Sequence, residues 1–156
     1  MYPAIEEIAE VFKEKSVVFH VQENDENSRI VASVIVDYTS FTVYFIANDE
    51  TNDIAVRIPH FVRFKPQNHR DMIRISNRMN DKYRFCKFSV NDESESVSIE
   101  YDFAGKTENI GEAAEEIFRR VMQIAEEAYP EFMRAIWGKQ ETQQTIGNVV
   151  FHDFEV

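Results

Sequence analysis

The side chains with the most obvious capacity for chemistry in this 156-residue chain are four histidines. They are His20, His60, His69 and His152, and no two of them stand at a short spacing, such as His-x3-His, that places two imidazoles on one metal ion. None of them neighbours a serine in the kind of strand-to-helix turn that exposes a nucleophile. We therefore interpret all four as structural or surface residues, and we expect no catalytic residue, no metal and no cofactor.

Cys86 is the only cysteine, which excludes an internal disulfide and any metal site built from several cysteines. It alternates with Phe88 and Val90, a pattern that favours burial on one face of a strand over reactivity. The first 15 residues are acidic and resemble neither a signal peptide nor a membrane anchor. Together with the lone cysteine they indicate a reducing compartment, and we expect the cytoplasm. No nucleophile stands with a matching base, so we expect no enzyme.

Two acidic loops, at residues 24–27 and 48–53, carry the oxygen-rich side chains that Ca²⁺ prefers. Neither loop has the glycine at the sixth position or the distant glutamate of an EF-hand loop. Asn and Asp are also the residues that favour tight turns. We therefore predict turns at both places.

The charge of the chain is unevenly distributed along the sequence. Its 28 acidic and 17 basic residues give a formal net charge of -11. Residues 60–87 contain eight basic and two acidic side chains, so this segment carries +6 and the remainder of the chain carries -17. The net acidity disfavours nucleic acid and anionic membranes as partners, because their phosphates would repel most of the surface.

Four of these basic residues form what we call the basic strip, namely Arg70, Arg74, Arg78 and Lys82. Their spacing of four residues places them on one face of a predicted helix. One interpretation is a cationic surface for an acidic partner segment or an anionic ligand. The other is that the strip pairs with the chain's own acids, including those of a second copy, or is a solvated helix face.

The elements that position these residues follow from the hydrophobic periodicity. Helices are predicted at about 3–15, 66–80 and 110–137. Strand-like runs are predicted at residues 17–21, 30–36, 41–46, 54–58, 83–90 and 97–103. Because the turns between the first four runs are short, we predict an α+β fold in which helices cover one face of an antiparallel sheet.

The last predicted helix has an apolar face wider than a sheet alone requires. Tyr129, Met133 and Trp137 widen this face, and such residues are enriched at interfaces, although ordinary core is an equally good interpretation. Pro130 is expected to kink or divide the helix, and Gly138 is placed to end it. Residues 1–138 are therefore predicted to form one domain. Residues 139–156 form an extension whose strand-like run at 149–151 has no predicted position.

Three stretches of the chain together resemble one protein family. In Ile75–Phe88, a predicted helix with an Asn-x-x-Asn pair, Asn77 and Asn80, runs into a strand. A strand also leads into Pro59 before the helix that Pro66 starts, and the third stretch is Tyr129–Gly138. Their order and spacing resemble the YbjN family, described as bacterial sensory transduction regulators, over about residues 5–138.

The resemblance implies a fold similar to that of type III secretion chaperones, with the order α-β-β-β-α-β-β-α and commonly a dimer. Those chaperones hold a partner polypeptide against their surface without chemistry. The strand-like run at about 54–64 and the extension beyond residue 138 depart from this pattern, and so we anticipate an extra strand.

We expect a non-enzymatic, homodimeric module that docks a partner polypeptide on an apolar patch, oriented by the basic strip. The candidate partner-binding residues are Arg70, Arg74, Arg78, Lys82, Tyr129, Met133 and Trp137. The alternative is a sensor of a small molecule or anion bound between the sheet and the helices.

Overall fold

The computed structural model describes residues 2–37, 39–47 and 51–153, with side chains described as far as residue 138. Its elements are α1 (Pro3–Glu14), β1 (Phe19–Glu23), β2 (Ser28–Val36), β3 (Thr39–Ala47), β4 (Ile54–Arg63), a 3-10 turn (Pro66–Asn68), α2 (His69–Lys82), β5 (Lys87–Asn91), β6 (Ser96–Phe103) and α3 (Ile110–Asp153).

The strands form one antiparallel sheet in the order β1-β2-β3-β4-β6-β5. The predicted α+β class with an antiparallel sheet is therefore confirmed. Four strands precede α2, one more than in the order that the resemblance implies. The extra strand anticipated at about 54–64 is β4.

One face of the sheet carries the core. In β3 the side chains of Phe41, Val43 and Phe45 are buried, whereas those of Thr42 and Tyr44 between them are half-buried. This alternation is expected because successive side chains of a strand point to opposite faces. The helices therefore have one apolar face to cover.

Aromatic rings join the helices to this face. The ring of Phe12 in α1 lies 5.3 Å from that of Phe45, and Phe118 of α3 lies 5.5 Å from Phe12. Further along α3, Phe132 lies 5.6 Å from the ring of Phe61 in β4. These edge-on and tilted pairs bury large apolar areas and fix α1 and α3 against the middle of the sheet.

Asn80 joins α2 to the edge strand β5. Its Nδ2 donates to the carbonyl of Phe88 at 3.1 Å, and the N–H of Phe88 donates to its Oδ1 at 2.6 Å. The side-chain amide thus pairs with both backbone groups of one residue, as a neighbouring strand would. Asn80 therefore has a structural role, whereas the side chain of Asn77 makes no hydrogen bond with another described residue.

The boundaries of α2 and β5 differ from those predicted. The first turn after Pro66 is a 3-10 turn, and the helix continues two residues further than expected, to Lys82. The strand predicted from residue 83 begins only at Lys87. Cys86 explains this delay, because its φ of 75° is left-handed and interrupts an extended chain.

The prediction that α3 ends at Gly138 is wrong, since the helix runs from Ile110 to Asp153 with Pro130 inside it. No glycine of the described residues has the positive φ that a left-handed helix end requires, and residues 139–144 are all good helix formers except Thr142. The strand-like run at 149–151 falls within this helix, where side chains are outside the described part of the chain.

Candidate partner-binding surface

The basic strip lies on the outer face of α2, and all four of its side chains are exposed. The Nη2 of Arg78 lies 3.2 Å from the Oε2 of Glu131 on α3, so one member of the strip pairs with an acid of its own chain. Arg70 and Arg74 form no ion pair with any residue that the structure describes. Lys82 likewise forms no ion pair with a described residue, so Arg78 is the one member of the strip whose charge is paired within the described part of the chain.

The C-terminal half of the strip is tied to α3 through Tyr83. The hydroxyl of Tyr83 donates to the Oε2 of Glu127 at 3.0 Å, and the ammonium of Lys82 lies 5.1 Å from the ring centroid of Tyr83. Burial raises the pKa of Tyr83 to about 12, and the hydrogen bond to Glu127 adds to the rise. The phenol thus remains a neutral donor that holds α2 beside α3.

Tyr129, Met133 and Trp137 form what we call the apolar row. Their spacing of four residues places them along one flank of α3. The ring of Tyr129 packs 5.7 Å from Phe41 and 6.0 Å from Phe61, so this end of the row belongs to the core. Met133 is half-buried, and Trp137 is 59% exposed. The row therefore leads out of the core into solvent.

The structure does not bring the basic strip and the apolar row together. Glu131, the partner of Arg78, lies only two residues after Tyr129, which is about 200° around a helix. The strip therefore meets one flank of α3 while the row faces β3 and β4 on the other. The seven candidate residues thus form two separate groups. A ligand that contacts the apolar row directly would therefore not also contact the basic strip.

Beside the apolar row the sheet is split between β3 and β4. The two strands are in register only where residues 44–47 pair with residues 54–57. Further along β4, three residues between Ile58 and Val62 lie opposite a single residue of β6. This bulge contains Pro59, which has no N–H to pair, and His60, whose φ of 52° is left-handed.

The split leaves a cleft of about 400 Å³ that reaches the apolar row. Its lining comprises Thr39, Ser40, Phe41, Thr42, Ile58, Pro59, His60, Phe61, Val62, Arg63, Tyr129 and Met133. We call this space the β3/β4 cleft. Sequence reasoning missed it, although a proline inside a strand-like run is a signal for a bulge.

The β3/β4 cleft is apolar at its base and polar and cationic at its rim. The aromatic rings of Phe41, Phe61 and Tyr129 pack together at the base. At the rim, the Nδ1 of His60 lies 3.1 Å from the hydroxyl of Ser96, and Arg63 is exposed. The described lining contains no carboxylate, which is notable in a chain of net charge -11. A bound group with negative charge therefore meets no like charge on this part of the cleft wall.

The other sites considered from the sequence are a metal site, the Cys86 thiol and the two acidic loops. No group of three His, Cys, Asp or Glu side chains able to hold a metal occurs among the described residues. Burial raises the pKa of the Cys86 thiol to about 12, which disfavours the reactive thiolate. The first acidic loop is a turn as predicted, because the Oδ1 of Asn24 accepts the N–H of Asn27 at 2.8 Å. Residues 48–50 of the second loop lie outside the described part.

The helices also bear on the membrane question. Over the described residues, no helix combines the length and the apolar character needed to cross a bilayer.

Comparison with known proteins adds a family to this geometry. The family model named YbjN, with the description "Putative bacterial sensory transduction regulator", matches residues 4–134 of the 156. The match includes the basic strip, the β3/β4 cleft and the first two members of the apolar row, and it stops before Trp137. A search of curated proteins finds no match. Since the family model spans most of its length, the chain belongs to the YbjN family.

Proposed function

We propose that the chain is a non-enzymatic regulatory module that docks a partner polypeptide along the apolar row and the adjoining β3/β4 cleft. The observation that carries this proposal is Trp137, which is 59% exposed and continues a row of large apolar side chains that begins in the core. Tryptophan and methionine are enriched at interfaces, where an exposed ring gains most from being covered. The family's description as a regulator supports a binding role.

The free charges of the basic strip are proposed to orient this partner. Arg70 and Arg74 are exposed cations without an ion pair in the described residues, whereas most of the chain is acidic. Because they lie away from the apolar row, we expect them to speed association with an acidic partner and to make few direct contacts. Their effect should therefore fall as salt concentration rises.

The proposed setting is the cytoplasm, and the proposed assembly is a homodimer. The lone Cys86 supports a reducing compartment, and the resemblance to dimeric chaperones supports self-association. Light scattering of the purified chain tests the assembly, since a monomer at micromolar concentration would contradict it.

Affinity capture with matched variants tests the docking proposal. The baits are the wild-type chain, a double variant with Met133→Ser and Trp137→Ser, and a control variant with Ile35→Ser. Ile35 suits the control because it is 87% exposed and lies on β2, outside the β3/β4 cleft. Thermal melts first establish that all three baits are folded, since Met133 is half-buried.

We expect specific proteins that the wild type and the Ile35→Ser control capture equally and the double variant loses by at least tenfold. The same proteins on all three baits, in equal amounts, would contradict docking on the apolar row. Reversal of Arg70 and Arg74 to Glu should slow association and leave dissociation unchanged, which surface plasmon resonance measures.

The size and lining of the β3/β4 cleft also favour a second candidate, a sensor of a small anion. Its volume of about 400 Å³ falls within the range of ligand pockets, and His60 and Arg63 stand at its rim. A ligand at 100 times its Kd stabilises the folded chain by about 2.7 kcal/mol. A thermal-shift screen of small carboxylates and phosphates therefore tests the sensor. Stabilisation of the wild type that Arg63→Glu abolishes would favour the sensor over polypeptide docking.

A further inference from the structure

The direction of the backbone groups in the β3/β4 cleft follows from Asn80. In an antiparallel pair, each residue directs both its N–H and its C=O either towards the opposite residue or away from it. Since Asn80 binds both the N–H and the C=O of Phe88, these two backbone groups point away from β6. The residue opposite Phe88 on β6 is Ile99, and its N–H and C=O must then point to β4, where Ile99 lies opposite Ile58.

The alternation continues across the sheet. Because the backbone N–H and C=O of Ile58 point to β6, those of its neighbour Arg57 point to β3, where Arg57 lies opposite Tyr44. The N–H and C=O of Tyr44 therefore point to β4, and along β3 the backbone groups of every second residue before Tyr44 do the same. These residues are Thr42 and Ser40.

The hairpin at the other end of the sheet gives the same result independently. The N–H of Asn24 donates to the carbonyl of Asn27 at 3.0 Å, so the backbone groups of Asn27 point towards the β1 side of the hairpin. Those of the next residue, Ser28, therefore point away from β1 and towards Ala47 on β3. Ala47 then points to β2, and alternation along β3 again directs Tyr44, Thr42 and Ser40 towards β4.

Ser40 and Thr42 thus direct four backbone groups into the β3/β4 cleft, where no described residue of β4 is in register with them. The opposite edge of β3 is paired with β2 along its whole length. The unpaired edge at residues 39–43 measures about 17 Å, which matches an extended segment of about five residues. An edge of this kind is a ready template for another strand.

We propose that the β3/β4 cleft binds an extended, acidic segment of the partner polypeptide, which pairs as a strand with the free edge of β3. This inference rests on the proposed function and specifies how the partner is held. Alternate side chains of the segment would pack on Phe41, Phe61 and Tyr129 at the base of the cleft. The acidic character follows from the exposed Arg63 at the rim and from the lack of carboxylates in the described lining.

Binding of a synthetic peptide tests strand addition directly, even while the natural partner is unidentified. The probe is a fluorescein-labelled octapeptide that alternates valine and threonine and ends in two glutamates, followed by fluorescence anisotropy. One control peptide carries N-methyl groups on alternate backbone nitrogens, which removes strand pairing and keeps the side chains. A second replaces the glutamates by lysines.

Proline variants test the same edge from the side of the protein. Ser40→Pro removes an N–H that points into the cleft, so no bond of the sheet is lost. Ser33→Pro is the matched control, because Ser33 is an exposed serine of β2 that lies opposite Thr42 and directs its N–H away from β3. The register of β1 ends at Ala32, so Ser33 lies at the end of the β1–β2 pairing, where a proline disturbs the ladder least.

We expect the parent peptide to bind wild type and Ser33→Pro equally and to bind Ser40→Pro at least tenfold more weakly. N-methylation and the lysine exchange should each weaken binding to the wild type at least tenfold. If Ser40→Pro does not fold, the comparison of parent and N-methylated peptides decides. Equal binding of both, or no binding of the parent peptide, would overturn strand addition.

The proposed function has a separate readout, because capture that depends on the apolar row can persist when the peptide test fails. Conversion of a dimer to a monomer by Ser40→Pro, but not by Ser33→Pro, would identify a second copy of the chain as the occupant and would also overturn the proposal.

Discussion

Replacement of Asn80 by alanine should destabilise the fold through β5 while leaving the core untouched. The side-chain amide makes two hydrogen bonds with the backbone of Phe88, at 3.1 and 2.6 Å. Alanine removes both partners, and water can reach the vacated groups because residue 80 is exposed. Each bond therefore contributes its net value of about 0.5–1.5 kcal/mol rather than the cost of a buried orphan, giving about 1–3 kcal/mol for the pair.

The neighbouring Asn77 provides the matched control. Both asparagines lie in α2, so alanine improves the helix propensity equally at both positions. Asn77 is exposed, and its side chain makes no hydrogen bond with another described residue. The difference between Asn80→Ala and Asn77→Ala thus isolates the two bonds to Phe88.

Thermal unfolding followed by circular dichroism measures this difference. At about 2–4 °C for each kcal/mol in a domain of this size, Asn80→Ala should melt about 2–12 °C below Asn77→Ala. Urea unfolding should give a lower midpoint with an unchanged slope. Equal melting temperatures for the two variants would refute the structural role of Asn80 and, with it, the assignment of backbone directions that begins at Phe88.

Two further predictions concern packing and reactivity. Gly111→Ala should lower the melting temperature, because an added Cβ would lie 2.6 Å from the Cγ2 of Val11 and 2.8 Å from the carbonyl of Glu7, an overpacking worth about 1–3 kcal/mol. Gly138→Ala meets nothing within 4 Å and should leave the melting temperature unchanged or raise it, so equal losses in the two variants would contradict the close approach of α1 and α3. Burial raises the pKa of Cys86 from 9.0 to about 12, so alkylation by iodoacetamide at pH 8 should be about a thousandfold slower in the folded chain than in urea. Because thiolate forms only as pH approaches 12, the folded-state rate should rise about tenfold for each pH unit between 8 and 10, and a plateau near pH 9 would contradict the raised pKa.

Local patterns in the sequence predicted the elements that depend on local chemistry. The four-residue spacing of Arg70, Arg74 and Arg78 placed them on one helix face, and the structure has them on the exposed face of α2. The strand-like run predicted at residues 41–46 likewise lies within β3 (Thr39–Ala47). Such patterns depend only on the period of a helix or a strand, which the chain itself carries.

Features that depend on how elements meet were not predicted. The separation of the basic strip from the apolar row arises because Arg78 contacts Glu131 on one flank of α3, whereas Tyr129 lies on the other flank against Phe61. No local pattern in α2 encodes this arrangement. The end of α3 was misplaced because a glycine stops a helix only when it adopts a left-handed conformation, and Gly138 does not.

The β3/β4 cleft depends on strand register. Pro59 is a local signal for a bulge that the sequence-based prediction did not use, and the lining of the cleft follows from the pairing of β4 with β3 on one side and β6 on the other. The sequence does not show the pairing of β4 with β6, because strands that are adjacent in a sheet need not be adjacent in the chain. It also does not show the residue at which the pairing of β3 with β4 stops.

Hydrogen–deuterium exchange of the chain, alone and with the captured partner, tests partner docking most directly. Docking in the β3/β4 cleft and along the apolar row predicts slower exchange in the presence of partner at residues 39–43, where the free amides of Ser40 and Thr42 lie, and at residues 129–137. Exchange on β1 and on the outer face of α2 should change little. Protection confined to other segments, or no protection by a partner that binds, would contradict docking at this surface.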